Sequence, residues 1–187
     1  MAVDGKPAAV FILESSVRTD AAATIEELAA LELGVHIISG DQASHCQALA
    51  DQLHLGYSDS MTPERKQQEI ANKRVMFIGD GLNDLPALAS ASVSITTMET
   101  VDLVKSKADG ILMTSKLTAL VELVRISRKA KSIMRENLLW ALAYNLIAIP
   151  LAVAGLATPW MAALGMSASS LIVMANASRL LPSKEIG

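Results

Sequence analysis

Residues 137–181 form a run of 45 positions with a single charged side chain, Arg179. A stretch that apolar needs a hydrocarbon solvent, either lipid or the interior of a protein. It divides into two segments, 137–157 and 159–181, separated by Thr158-Pro159, an N-cap candidate followed by proline at the first helical position. Each segment is roughly 20 residues long, the length an α-helix needs to cross a ~30 Å hydrocarbon core. The expectation is a transmembrane hairpin; the alternative is a buried hairpin inside a large soluble protein. Basic side chains flank the outer ends: Arg125, Arg128, Lys129, Lys131 and Arg135 before the first segment, Arg179 and Lys184 at the end of the second. None lies in the connecting turn, so the positive-inside rule places both ends in the cytoplasm and the turn outside.

The other 142 residues hold 34 of the 35 charged side chains (16 Lys and Arg, 19 Asp and Glu), an ordinary density for a globular domain. Two bodies with different solvents therefore share the chain. The net charge of −3 argues against a nucleic-acid partner. Cys46 is the lone cysteine, which excludes a disulfide-stapled secreted domain, and aromatics at 3% argue against an all-β sandwich. The first ten residues contain Asp4 and Lys6 and lack the apolar core of a signal peptide. The charged body is thus expected in the cytoplasm.

That body alternates apolar runs with helical spacing. Strands are expected at Ala8–Leu13, Val35–Ile38, Val75–Ile78, Val93–Ile95 and Ile111–Met113. Helices are expected at Asp20–Leu33 (ended by Gly34), Ser44–Leu53, Pro63–Asn72 (capped by Thr62), Leu85–Ala91 and Val101–Lys107. Repeated strand–helix units imply an α/β fold with a mostly parallel sheet covered on both faces. The expected division is 1–116 for this domain, 117–136 for a basic linker helix, 137–181 for the hairpin and 182–187 for a cytoplasmic tail.

Gly79-Asp80-Gly81-Leu82-Asn83-Asp84 follows an apolar strand, where parallel sheets build their ligand sites. Two carboxylates and an amide suit a hard cation such as Mg²⁺, which commonly also touches a substrate phosphate. Gly79 and Gly81 let the backbone turn and approach that phosphate. No Gly-Lys-Ser/Thr follows, so the loop is not a Walker A motif, and Asp84 stands where a dinucleotide fingerprint needs its third glycine. A plain strand-to-helix turn has the same composition. Ser39-Gly40-Asp41 ends another strand and reads either as a phosphate-holding turn or as an N-cap. Lys66 reads either as a surface lysine or as a charge that neutralises a phosphoryl group.

In the hairpin, Met166 offers a thioether, a soft ligand suited to Cu(I), and Ser170 lies on the same helix face. Asn145 is a polar amide within an apolar span, and Pro150 removes a backbone hydrogen bond there. Packing is the plain reading of the same residues. Met161, Met174, His36, His45, His54 and Cys46 form no ligand cluster in sequence.

VMFIGDGLNDLPALASASVSI resembles the hinge-region signature of P-type ATPases, within the haloacid-dehalogenase-like, Rossmannoid fold. NLLWALAYNLIAIPLAVAG and PWMAALGMSASSLIVMANASRLL resemble the last two membrane helices of that family's heavy-metal branch. The similarity runs from about Val10 to Leu181, and GMSASSLIVMANASRL is most similar to the subgroup that supplies copper for cytochrome oxidase assembly. It implies that Asp80 binds Mg²⁺ and that Asn83 and Asp84 orient and hold the phosphorylation site. Lys66 would contact the aspartyl-phosphate; Ser39, Gly40 and Asp41 would lie near phosphate and nucleotide, with Gly79 and Gly81 shaping the loop. Tyr144, Asn145, Met166 and Ser170 match the intramembrane Cu(I) ligands of the copper-transporting members. Zinc-transporting members carry charged residues in these helices, which the hairpin lacks except for Arg179.

The resemblance also implies ATP, a bacterial inner-membrane location, Cu(I) as cargo and a copper chaperone as partner. The family's Asp-Lys-Thr-Gly-Thr, its Cys-Pro-Cys, its Thr-Gly-Glu and a nucleotide-binding domain do not occur in these 187 residues. Asp4-Gly5-Lys6 is the nearest fragment of the first and reads as a turn. Thr96-Thr97-Met98-Glu99-Thr100 replaces a glycine-threonine-rich turn. The chain is therefore expected to be the C-terminal part of a transporter, paired with a missing N-terminal portion and inactive alone. A membrane-tethered phosphatase and a non-enzymatic copper-binding partner are the alternatives.

Overall fold

The computed structural model describes residues 2–3, 6–7 and 17–181. The expected strand Ala8–Leu13, the turn at Asp4 and the tail 182–187 lie outside those residues. Strands β1 (Ala2–Val3) and β2 (Lys6–Pro7) pair antiparallel. Then follow α1 (Ala21–Ala30), β3 (His36–Ile38), α2 (Ala43–Leu53), β4 (Gly56–Ser58) and α3 (Pro63–Ile70). Next come β5 (Met76–Ile78), α4 (Leu85–Ser90), β6 (Val93–Thr97), α5 (Asp102–Lys105) and β7 (Gly110–Leu112). Two long helices, α6 (Thr118–Val153) and α7 (Pro159–Ala177), and a short 3₁₀ helix, Ser178–Leu180, complete the described chain. It divides into two compact units, 1–121 and 122–187.

The front unit is α/β with parallel ladders, as the alternation requires. β3 pairs with β4, and β5, β6 and β7 form a three-stranded sheet in that order. β6 is central and its Ser94, Ile95 and Thr96 are buried, the expected state of a strand covered on both faces. Buried hydroxyls need partners. Asp109 accepts from the Ser94 backbone N–H at 2.8 Å and from its hydroxyl at 2.9 Å, which holds the Asp109 carboxyl below its ordinary range. The Thr96 hydroxyl donates to that of Thr100 at 2.9 Å. The Thr97 hydroxyl also pairs with that of Thr100 at 3.1 Å, which ties down the turn after β6. Ile70, Phe77, Ala87, Leu88 and Val104 form the core under the sheet, with Ile38, Val75 and Leu85 packed against it.

Several boundaries differ from expectation. α1 stops at Ala30, and Glu32 takes a left-handed φ of 60°, so Gly34 is not its terminator. β4 carries no alternation in three residues and was not expected. Thr62 caps α3 as expected, accepting from the Arg65 N–H at 3.3 Å. Thr158 occupies the N-cap position of α7 with extended backbone, but its side chain makes no capping bond. α6 runs unbroken through the basic segment into the apolar one and ends one turn past Pro150, short of Ala157.

Asp20 has a role that sequence spacing does not show. Its carboxylate accepts the N–H of Leu117 at 2.6 Å and of Thr118 at 3.2 Å, 97 and 98 residues away. It caps the start of α6, while Leu120 from that helix's first turn packs on Ile95 and Leu112. Removing a capping carboxylate costs about 1–2 kcal/mol. Asp20→Ala should therefore lower the urea midpoint of the detergent-solubilised chain by that equivalent; an unchanged midpoint would show that water replaces the cap.

α6 and α7 each contain an apolar window long enough to cross a membrane, and no residue of either window is buried.

Candidate functional site

The loop after β5 is shaped by close packing. Gly79 is buried and its N–H donates to the Ile95 carbonyl at 3.1 Å. A Cβ there would lie 2.9 Å from the Asp84 Cβ and 3.0 Å from Phe77 Cε1, so only glycine fits. The chain then turns through a short 3₁₀ helix, Leu82–Asp84, into α4. Asp84 closes that turn: its N–H donates to the Gly81 carbonyl at 3.0 Å and its carboxylate accepts the Gly81 N–H at 3.3 Å.

The other oxygen of Asp84 accepts Lys66 Nζ at 2.7 Å. Lys66 stands on α3, which packs against α4; beside it Gln67 donates to the Ser90 hydroxyl at 2.9 Å. The Lys66 and Asp84 side chains are only 12% and 14% exposed, so their bond is charge-assisted and partly desolvated. Lysine, acidic loop and both glycines, dispersed over residues 66–84, thus converge as one constellation. Asp80 and Asn83 are exposed, and the Asp80 carboxylate accepts no hydrogen bond among the described residues. It is an available oxygen donor at the carboxyl end of a parallel strand, the kind of ligand Mg²⁺ uses with phosphate oxygens and waters. Among the described residues no three His, Cys, Asp or Glu side chains converge as a metal cage.

Ser39-Gly40-Asp41 folds as its own turn. The Asp41 N–H donates to Ser39 Oγ at 3.1 Å, and that hydroxyl donates to the Asp41 carboxylate at 3.0 Å. The backbone is held by the 58–61 loop, with Met61 N–H on the Ser39 carbonyl at 3.0 Å and Ser60 N–H on that of Asp41 at 2.9 Å. Neither side chain caps α2, whose N-cap is Gln42, so the N-cap reading does not hold. No hydrogen bond joins this turn to the 79–84 loop among the described residues. Their relation runs through Ile38, which packs on the cluster containing Phe77.

The hairpin is a separate body. Tyr144 packs its hydroxyl onto Gly165, where a Cβ would lie only 2.6 Å from it. Trp140 Nε1 donates to Ser169 Oγ at 3.2 Å. Of the four candidate membrane ligands, Tyr144 packs on the facing helix at Gly165, the chain neighbour of Met166. Met166 is 66% exposed, and Asn145 and Ser170 are also exposed. The Ser170 hydroxyl donates to the Met166 carbonyl at 3.0 Å, which leaves its oxygen lone pairs free to accept.

The roles of Asp20 and Gly165, and the joining of Glu136 to Asn176 and Arg179, do not show in sequence. Those contacts span 21 to 98 residues, and no local spacing signals them.

Two models of the haloacid dehalogenase-like hydrolase family match residues 1–92 and 62–123. The chain is 37% identical over 183 residues to the nitrogen fixation protein FixI of Rhizobium leguminosarum bv. viciae, covering 95% of this chain and 24% of that protein. It is 31% identical over 186 residues to a copper-exporting P-type ATPase of Bacillus subtilis, covering 96% of this chain and 23% of the relative. Among solved structures, a zinc-transporting PIB-type ATPase in the E2.Pi state superposes with a TM-score of 0.86 at 30% identity, over 90% of this chain and 29% of that one. The chain thus spans about a quarter of the length of the curated relatives it matches. The strand-end loop with its lysine, the parallel α/β unit and the apolar hairpin occur together in one matched stretch, and the chain belongs to the heavy-metal branch of the P-type ATPases, with a haloacid-dehalogenase-like domain at its front.

Proposed function

We propose that this chain is the C-terminal part of an ATP-driven Cu(I) exporter that works through an aspartyl-phosphate. The observation that carries the reading is the Lys66–Asp84 pair locked at 2.7 Å, in the loop that also carries the exposed Asp80 carboxylate. Lys66 presents positive charge where phosphoryl oxygens would lie, and Asp84 fixes its position. Asp80 supplies an oxygen ligand for Mg²⁺, which when bound offsets charge on the transferred phosphoryl group. Asn83 orients the phosphorylation site, Gly79 and Gly81 allow its close approach, and Ser39, Gly40 and Asp41 face phosphate and nucleotide. The accepting aspartate comes from a portion of the transporter N-terminal to these residues.

Copper is favoured over zinc by donor chemistry. Zn²⁺ takes thiolate, imidazole and carboxylate ligands. The apolar run 137–181 contains none of these and exposes the Met166 thioether, a soft donor that suits Cu(I). Tyr144, Asn145 and Ser170 complete the proposed membrane ligand set. The basic residues before and after the hairpin favour a cytoplasmic position for both ends and the front unit, and the bacterial relatives favour a bacterial inner membrane. A chaperone that delivers Cu(I) fits as partner.

Radiolabelled ATP tests the reading. A transporter containing this chain should form an acid-stable phosphoenzyme, and Asp80→Asn should abolish it; the 187-residue chain alone should take no label. Label on the isolated chain, or label indifferent to Asp80→Asn, would overturn the assignment.

A further inference from the structure

We propose that Glu136, Asn176 and Arg179 form a clamp that sets the register of the two membrane helices and thereby seats Tyr144 beside Met166. These three are positioning residues. The consequence for the metal rests on the copper reading above; the register itself does not.

The argument starts from Asn176. An amide on an apolar helix is unfavourable unless it is partnered. Here every polar atom of the amide is used. Nδ2 donates to Glu136 Oε2 at 3.1 Å and to Asn137 Oδ1 at 2.9 Å. Oδ1 accepts from Arg179 NH1 at 2.7 Å. The same guanidinium nitrogen reaches Glu136 Oε2 at 2.8 Å, and the Ser132 hydroxyl holds the other Glu136 oxygen at 3.2 Å. One carboxylate on α6 thus binds two side chains spaced three apart, Asn176 on the end of α7 and Arg179 in the 3₁₀ turn Ser178–Leu180 that follows it. The geometry has one solution. Sliding α7 by one residue moves Asn176 about 1.5 Å along the axis and swings it ~100° around the helix, which breaks both of its bonds to α6.

The rest of the interface needs the same register. Tyr144 fits because the position under its hydroxyl is Gly165, which has no Cβ to meet it. Its chain neighbours are Leu164 and Met166, so a slip of one residue in either direction puts a large side chain beneath the ring. Trp140 finds Ser169 in the same alignment. Helix pairs in lipid lack a hydrophobic force between them and depend on close packing and such hydrogen bonds. The Tyr144–Gly165 fit and the Trp140–Ser169 bond tolerate this register, and the clamp adds the polar bonds that lock it.

The test reads Trp140. The chain has two tryptophans, so Trp160→Phe leaves Trp140 as the sole emitter. In that background, in detergent, Ser169→Ala defines the emission shift that follows loss of the Trp140 bond. Asn176→Leu and Glu136→Leu should reproduce that shift with helix content by circular dichroism unchanged. Glu136→Gln, which keeps an acceptor oxygen, should retain the parent emission. Asn176→Ala serves if the leucine variant does not fold. Parent emission in both Asn176→Leu and Glu136→Leu, or a full shift in Glu136→Gln, would overturn the clamp. In the transporter containing this chain, Asn176→Leu should raise the Cu(I) concentration for half-maximal ATPase at least tenfold. If emission shifts while that concentration stays put, the clamp stands and the copper assignment fails, because the fluorescence measurement contains no metal.

Discussion

Lys66→Met should destabilise the chain and separately disable phosphoryl transfer. Asp84 would be left largely desolvated with its carboxylate facing an apolar side chain. Breaking a buried ion pair by removing one partner costs about 3–5 kcal/mol. The Lys66 and Asp84 side chains retain 12% and 14% exposure, so a loss of about 2–3 kcal/mol is expected, since some solvent still reaches the orphaned charge. Urea unfolding of the chain in detergent measures it. A double-mutant cycle with Asp84→Asn isolates the pair: the second substitution should recover part of the loss, because it removes the orphaned charge. In the transporter, Lys66→Met should also lower phosphoenzyme formation roughly 10²–10³-fold, the scale for deleting one preorganised electrostatic contact. Additive single substitutions would show that the 2.7 Å contact carries no coupling.

Met166→Leu should abolish Cu(I)-stimulated ATPase in a transporter containing this chain while leaving its fold intact. The two side chains have nearly equal volume, and such swaps change stability by less than about 1.5 kcal/mol even inside a core. Met166 is 66% exposed within the hairpin, so even less is expected from packing here. What the substitution removes is the sulfur, the one atom suited to Cu(I). Steady-state ATPase across a Cu(I) titration, with thermal unfolding as the control, gives the answer. Stimulation equal to the parent would return Met166 to a packing role.

Much of the front unit was legible in the chain. Strand–helix alternation located β3, β5, β6 and β7 and the helices between them, because apolar runs and helical spacing are local signals. β4 escaped because three residues cannot display a period. α1 ended early because Glu32 adopts a left-handed turn that its side chain does not advertise. The loop 79–84 was readable as chemistry, since Gly, Asp and Asn at a strand end restrict what the turn can be. That Asp80 is left open while Asp84 is consumed by Lys66 and Gly81 was not readable, because two aspartates in one loop look alike until a helix is packed beside one of them.

The amino-acid sequence by itself determined the two solvents. Charge density and the length of apolar segments are sums over residues, and no contact needs to be known to take them. It also determined where glycine and proline shape the backbone, since those limits are intrinsic to the residue. Tertiary structure alone decided which distant groups meet: Asp20 with the start of α6, Lys66 with Asp84, Tyr144 with Gly165 and Asn176 with Glu136. Each of those pairings joins atoms that the chain separates by 18 to 98 positions. Their partners are chosen by packing and by the penalty for leaving a polar group unpaired, which no local pattern encodes.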